Sequence, residues 1–191
     1  MKFQVFNRWS GSVQFEAEIE CSDDDTTSIK MGFAVKWAVK TGASLEGANL
    51  YRANLYRANL YRASLEGANL DGANLYRANL DGANLDGANL DGANLEGANL
   101  EGANGINDYV KSIQIETYPI CYTHDTMQIG CQRHLISEWS AFDDARIRHM
   151  DGTKALEFWR KYKAWIFQTI ELCPAKPTKH VDAVCEVMPD E

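Results

Sequence analysis

Residues 43–62 read ASLEGANLYRANLYRANLYR, and the same phrase continues without a break to Asn104. Ala occupies every fifth position from Ala43 to Ala103, and Leu every fifth position from Leu45 to Leu100. Asn stands between them, or Ser at Ser44 and Ser64. That makes twelve full phrases, and repetition on this scale decides the architecture before any other signal is weighed.

A period of five suits neither common secondary structure. On an α-helix five residues advance about 500°, so successive leucines would spiral around the surface instead of forming a stripe. In a flat strand every second Leu would land on the opposite face. A chain that turns a corner every five residues keeps each Leu and Ala inward. Four such sides close a coil of about 20 residues, and coils stack at the β spacing of roughly 4.8 Å. Leu fills the centre, Ala lets the walls approach, and backbone hydrogen bonds between coils satisfy the polar groups that the apolar interior cannot.

The repeated Ala-Asn-Leu-x-x phrase resembles the pentapeptide-repeat family, in which Leu and the preceding Ala point inward. The resemblance covers about a third of the chain and implies a right-handed quadrilateral β-helix, here about three coils and about 15 Å tall. The expected fold class is therefore mainly β, with a small α/β cap at residues 1–42, the β-helix at 43–104, a small α+β domain at 105–173 and a loose tail at 174–191.

Function is expected on the outward positions, which are the Asn column and the two residues after each Leu. Every fourth phrase stacks, giving four columns: Glu46, Glu66, Asp86; Tyr51, Asp71, Asp91; Tyr56, Tyr76, Glu96; and Tyr61, Asp81, Glu101. An Arg follows each Tyr, and Gly follows each carboxylate. The pairs Tyr51-Arg52, Tyr56-Arg57, Tyr61-Arg62 and Tyr76-Arg77 form the candidate binding surface, since Tyr and Arg are favoured at protein interfaces. The last coil shows only Asp86, Asp91, Glu96 and Glu101, an acidic ring that attracts a basic partner or simply keeps the stack solvated.

The expected partner is a protein, with a second copy of the chain as one option. A formal net charge of -8 argues against direct nucleic-acid binding. The family resemblance raises another reading, DNA mimicry toward a DNA-handling protein such as gyrase. The repeats hold 8 acidic and 4 basic residues. Net charge is then about one per 4 Å of rod, against one per about 1.7 Å in B-DNA. A convincing mimic would need a dimer or help from the ends.

The flanks differ in composition. Val13, Phe15, Ala17 and Ile19 alternate with polar residues as a half-buried strand, and Phe3 and Val5 supply its partner across an Asn7–Ser12 turn. Asp23 to Thr26 offers helix caps, Ile29, Phe33 and Trp37 share a helix face, and Gly42 stops the helix. This segment is expected to cover the exposed end of the coil. Beyond Ile106, strands are expected at Tyr109–Thr117 and Thr126–Cys131 and helices at Leu135–His149 and Thr153–Leu172, the second capped by Asp151. The last helix carries Phe158, Trp159, Tyr162, Trp165, Ile166 and Ile170 as an apolar face, with Lys154, Arg160, Lys161 and Lys163 as a modest basic one.

One constellation suggests a metal. Cys121, His124, Cys131 and His134 supply two sulfurs and two imidazoles, the chemistry of a closed structural zinc site, although the spacing departs from the finger pattern. The alternative is that the cysteines are buried as small apolar residues. No glycine-rich phosphate loop, nucleophile elbow or metalloprotease signature is present, and adjacent Asp143 and Asp144 point about 100° apart on a helix, so no enzyme activity is expected. No cofactor other than that zinc is expected. Five scattered cysteines, no signal-like start and no apolar run of about 20 residues suggest a reducing cytoplasm and no membrane span. The layout of hairpin-helix, repeats and Trp-rich C-terminal segment resembles bacterial and phage pentapeptide-repeat proteins.

Overall fold

The computed structural model describes residues 1–105, 107–116 and 118–178. Along the described residues run a hairpin and a helix, a repeat coil, then a four-stranded sheet with two helices. The expected tail lies mostly outside the described residues, Cys185 with it.

The coil obeys the five-residue phrase through two sets of backbone bonds. At each corner the Ala N–H donates to the carbonyl of the Leu three residues earlier, as from Ala53 to Leu50 at 3.0 Å. Between rungs the bonds run over twenty residues: Leu55 N donates to Asn74 O at 2.8 Å, and Asn74 N to Ala53 O at 2.9 Å. Parallel bridges link Asn49–Asn69–Asn89, Asn54–Asn74–Asn94, Asn59–Asn79–Asn99 and Ser64–Asn84–Asn104, three rungs to a column. The twelve leucines from Leu45 to Leu100 are buried, and Ala lines the walls beside them. The residue before each Ala has positive φ, as type II turns require at their third position. Eight corners use Gly there, and four use Arg at φ 51–55°.

The N-terminal strands β1 (Lys2–Phe6) and β2 (Val13–Glu18) pair antiparallel, with Phe3 opposite Ala17 and Val5 opposite Phe15. Val13 at the start of the expected buried face is exposed, because β2 begins at the rim. The hairpin docks on the first rung: Asn49 N donates to Phe6 O at 2.7 Å and Arg8 N to Gly47 O at 2.8 Å. Helix α1 (Thr27–Thr41) starts with the Thr26 side chain accepting from Ile29 N, and ends at Gly42, φ 75°. Its buried face is Gly32, Ala34, Val35 and Ala38, not Ile29, Phe33 and Trp37. The reason is proximity: a Cβ on Gly32 would sit 2.1 Å from Asn54 O, so small residues face the coil. Phe33 and Trp37 are half-buried at the side, Trp37 stacked on Phe15 at 6.0 Å.

After the coil, β3 (Lys111–Ile115), β4 (Tyr118–Tyr122), β5 (Thr126–Ile129) and β6 (Gln132–Leu135) form an antiparallel sheet in chain order. The expected first strand is thus shorter, its end Thr117 lying outside the described residues, and β4 and β6 were not expected. α2 (Ile136–Ala141) replaces the start of the expected Leu135–His149 helix. It stops at Phe142, and Asp143 caps α3 (Asp144–Leu172) by accepting from Arg146 N. α3 itself breaks at Asp151 and Gly152, so Asp151 marks a kink where a cap was expected.

The sheet has two functions by face. Ile120, Tyr122, Met127 and Ile129 join Trp139, Ile147, Leu156, Phe158, Trp159 and Ile166 in a core of their own. The other face meets the coil end through Ser112, Cys121, Gln128 and Arg133, which are cross-strand neighbours in one row. Ser112 Oγ accepts from Gly105 N at 3.1 Å, Cys121 Sγ donates to Ala103 O at 3.0 Å, and Gln128 Oε1 accepts from Leu100 N at 2.9 Å. Gln128 Nε2 also donates to Asn99 Oδ1 at 2.7 Å. Side chains thereby pair with Leu100 N, Ala103 O and Gly105 N at the open backbone edge of the coil. Gly105 is buried in this joint, where a Cβ would lie 2.5 Å from Val110 O.

Candidate functional site

Each coil corner presents two outward residues, so the outward chemistry follows from which pairs occupy the corners. The Asn column belongs to the scaffold. Asn54 Oδ1 accepts from Tyr56 N at 3.1 Å, and the same link recurs at Asn59, Asn74, Asn79, Asn84, Asn89, Asn94 and Asn99. Their amides also ladder between rungs, Asn69 Nδ2 to Asn49 Oδ1 at 3.0 Å and Asn79 Nδ2 to Asn59 Oδ1 at 3.4 Å. The expectation that this column is available for function is corrected accordingly: its polar atoms fix the turns.

The Tyr-Arg pairs are organised differently. The guanidinium carbons of Arg52, Arg57, Arg62 and Arg77 lie 5.1, 5.2, 5.0 and 5.0 Å from the ring centroids of Tyr51, Tyr56, Tyr61 and Tyr76. These distances are within reach of cation–π attraction. Tyr56 and Tyr76 stack between rungs at 5.8 Å, with planes 5° apart. Tyr51 and Tyr61 remain 47% and 45% exposed, and all four Arg are exposed. The Arg stems drape over the next rung: the Cβ that Gly72, Gly82 and Gly97 lack would fall 3.1, 3.1 and 2.9 Å from Cγ of Arg52, Arg62 and Arg77. Where Gly follows Arg one rung on, the Arg stem fills the space a Cβ would take, whereas in the third column Arg57 is followed by Arg77. Tyr56-Arg57 and Tyr76-Arg77 share one column, while Tyr51-Arg52 and Tyr61-Arg62 stand on the corners to either side of it, so the eight residues spread over three of the four corners in the first two rungs.

A fourth face has a different cover. Trp9, 69% exposed, lies on the glycine corner of the first column, where a Cβ on Gly47 or Gly67 would meet its ring at 2.3 Å. Arg8 anchors it by donating to Gly67 O at 3.1 Å and Ala68 O at 3.3 Å. Sequence reasoning missed Trp9 as a surface residue, although its place in a hairpin turn beside Asn7 and Gly11 is the signal that could have found it.

The acidic ring is less isolated than its sequence suggests. Burial lowers the Arg133 pKa below its ordinary value, with Asp125 and Glu96 opposing that shift from nearby. Lys176 pairs with Asp108 at 2.5 Å and has Asp91 in its field. Asp86 and Glu101 lie on the other two corners. The basic face of α3 is likewise engaged: Arg160 pairs with Asp144, Lys161 with Glu116 at 2.7 Å, and Lys163 Nζ donates to Ser140 O at 2.9 Å.

The expected zinc set does not converge. Cys121 lies in the row that meets the coil, and burial pushes its thiol up to about 12. His134 pairs with Met127 in the adjacent row, on the other face, with its ring edge-on to Trp139 and Phe142. Cys131 is exposed in the β5–β6 turn, and His124 sits in the β4–β5 turn. Among the described residues no group of three or more His, Cys, Asp or Glu side chains is placed to hold a metal ion. Burial lowers the His134 pKa, against an opposing pull from Glu138, and its Nε2 is buried with no hydrogen-bond partner among the described residues.

Residues 41–75 and 68–104 match the family model of pentapeptide repeats, in eight copies. The central segment is a pentapeptide-repeat module. Solved structures similar to it include HetL, a pentapeptide repeat protein involved in heterocyst differentiation regulation from the cyanobacterium Nostoc, at 50% identity over 31% of this chain, TM-score 0.31. A pentapeptide repeat protein from the cyanobacterium Cyanothece matches at 49% identity over 30% of this chain, TM-score 0.22. One from the Arabidopsis thaliana thylakoid lumen matches at 32% identity over 31%, TM-score 0.23. The matches span 29%, 35% and 45% of those three chains. No curated protein matches the chain. The hairpin-helix and the sheet-helix segment on either side of the module lie outside the residues that the family model matches. Among the described residues, no helix is long and apolar enough to cross a membrane.

Proposed function

We propose that the protein is a non-enzymatic, cytoplasmic binding scaffold whose pentapeptide-repeat module, read as three right-handed coils, presents its Tyr-Arg corners to a protein partner. One observation carries this reading. Four corners hold Arg in the left-handed conformation that the other eight give to Gly. That conformation disfavours a side chain by about 1–2 kcal/mol per residue. An exposed guanidinium–ring contact returns only about 0.5–1 kcal/mol. The ring contact therefore does not by itself offset that conformation, and a binding surface supplies a reason for Arg at these four corners beside the packing of its stem on the next rung. The pairs also arrive pre-ordered, so little side-chain freedom is lost on docking.

The acidic ring at Asp86, Asp91, Glu96 and Glu101 assists by steering a partner with basic surface. DNA mimicry toward gyrase ranks below this reading, because Arg133 and Lys176 stand beside Glu96 and Asp91 and dilute an already sparse charge pattern. The test is capture from a bacterial lysate by wild type and by Arg57→Glu/Arg77→Glu, at low and high salt. A partner retained at high salt by wild type and lost by the variant, with the melting curve unchanged, is expected. Equal capture by both proteins overturns the surface assignment. Capture of a DNA-handling protein that salt releases from both proteins alike replaces it with mimicry.

A further inference from the structure

The C-terminal core contains a hollow that the binding-scaffold reading does not use. It is a half-open cleft of about 210 Å³ between the sheet, α2 and the two arms of α3. Its walls are mostly aromatic and aliphatic. Trp139 and Trp159 lie 5.2 Å apart with planes tilted 41°, and Tyr118 meets Phe158 edge-on at 4.9 Å. Met150 comes from the first arm of α3, and Phe158 and Trp159 from the second.

The kink of α3 is what separates those arms. Gly152 has φ 66° and ψ -150°, a region open essentially to glycine alone. Asp151, beside it, has φ -149° and ψ 41°. Its Oδ2 accepts from Tyr118 Oη at 2.5 Å, tying the break to the start of β4. That bond is the main cause of a Tyr118 pKa pushed up to about 12, so the phenol stays protonated and keeps donating. The break in α3 therefore places Asp151 at the mouth of an apolar hollow.

The lining chemistry narrows the occupant. Trp139 Nε1 already donates to Met127 O at 2.8 Å, so that ring offers only apolar surface. Asp151 is the one formally charged side chain among the described residues of the lining, and it is exposed at the rim. An apolar cavity of about 150 Å³ accepts benzene. The volume here suits one or two fused rings, with a cation directed outward toward the carboxylate. We propose that the kinked helix α3 forms a binding pocket for a small planar aromatic molecule bearing an ammonium group.

The test measures calorimetric binding of tryptamine, indole and indole-3-acetate to the full chain at low salt. Saturable binding of tryptamine at one site is expected, roughly tenfold tighter than indole-3-acetate, from attraction in one case and repulsion in the other at an exposed charge. Asp151→Asn keeps an acceptor for Tyr118 and should shrink that ratio to about twofold or less. Ala155→Trp fills the hollow and should remove binding of all three probes. Should that variant fail to fold, the Asp151→Asn ratio decides alone. No saturable binding of tryptamine, or a ratio unchanged in Asp151→Asn, overturns the proposal.

Discussion

Replacing Gly97 by Ala asks whether the Arg stems are packed on the glycine corners or merely lie near them. Gly97 has φ 70°, so any side chain there incurs the left-handed penalty of about 1–2 kcal/mol. The new methyl would also fall 2.9 Å from Arg77 Cγ and 3.7 Å from Arg77 Cα, which forces the Arg77 stem off the corner. Overpacking of this kind adds about 1 kcal/mol. Gly87 is the control. It has φ 65° in the same rung, but a Cβ there would meet nothing closer than the Gly67 backbone at 3.9 Å. Gly97→Ala should therefore destabilise by about 2–3 kcal/mol and Gly87→Ala by about 1–2 kcal/mol. In an Arg77→Ala background the difference should fall to within about 0.5 kcal/mol, because the clash has lost its partner. Urea titrations followed by far-UV circular dichroism give these numbers as midpoint shifts at constant slope. Equal losses for the two glycines, or a difference that survives Arg77→Ala, would refute the packing argument.

Two further outcomes follow from the coil end and the C-terminal core. Gln128→Leu strands the Leu100 N–H in a buried joint, so a loss of about 1–3 kcal/mol and faster amide exchange at Leu100 are expected. No change in exchange at Leu100 would show that the row Ser112–Cys121–Gln128–Arg133 does not cap the coil. His134 has a pKa lowered from 6.5 by burial, so the folded state binds fewer protons there than the unfolded chain. Its contribution is fully present above about pH 6.5 and is lost as pH falls below that value. Wild-type melting temperature should then drop between pH 7 and 5 more steeply than that of His134→Gln, and parallel slopes would contradict the burial argument.

How much of this was legible in the sequence differs along the chain, for physical reasons. The coil was legible because one constraint, an inward Leu every five residues, repeats twelve times with the same neighbours. The Tyr-Arg columns followed from that register by arithmetic. The Asn side chains were misassigned, since an outward position and a turn-fixing one look alike in sequence. α1 misled in another way. Large apolar residues normally mark the buried face, but here the helix lies so close to Asn54 that Gly32, Ala34 and Ala38 face the coil. β6 reads Gln132-Arg133-His134-Leu135, with no apolar alternation, because one of its faces meets polar backbone at the coil end. The zinc set failed because neighbours on a pleated sheet point to opposite faces, a fact that spacing in sequence does not carry until the strands are known.

In the proposed function the Tyr-Arg corners, and not the acidic end of the coil, contact the partner. A photo-crosslinking amino acid placed singly at Tyr61 and at Glu101, two outward positions of one column two rungs apart, tests it most directly. A crosslinked partner band from position 61 that Arg57→Glu/Arg77→Glu abolishes, and none from position 101, is expected. A band from position 101 alone, indifferent to the two arginines, would contradict it.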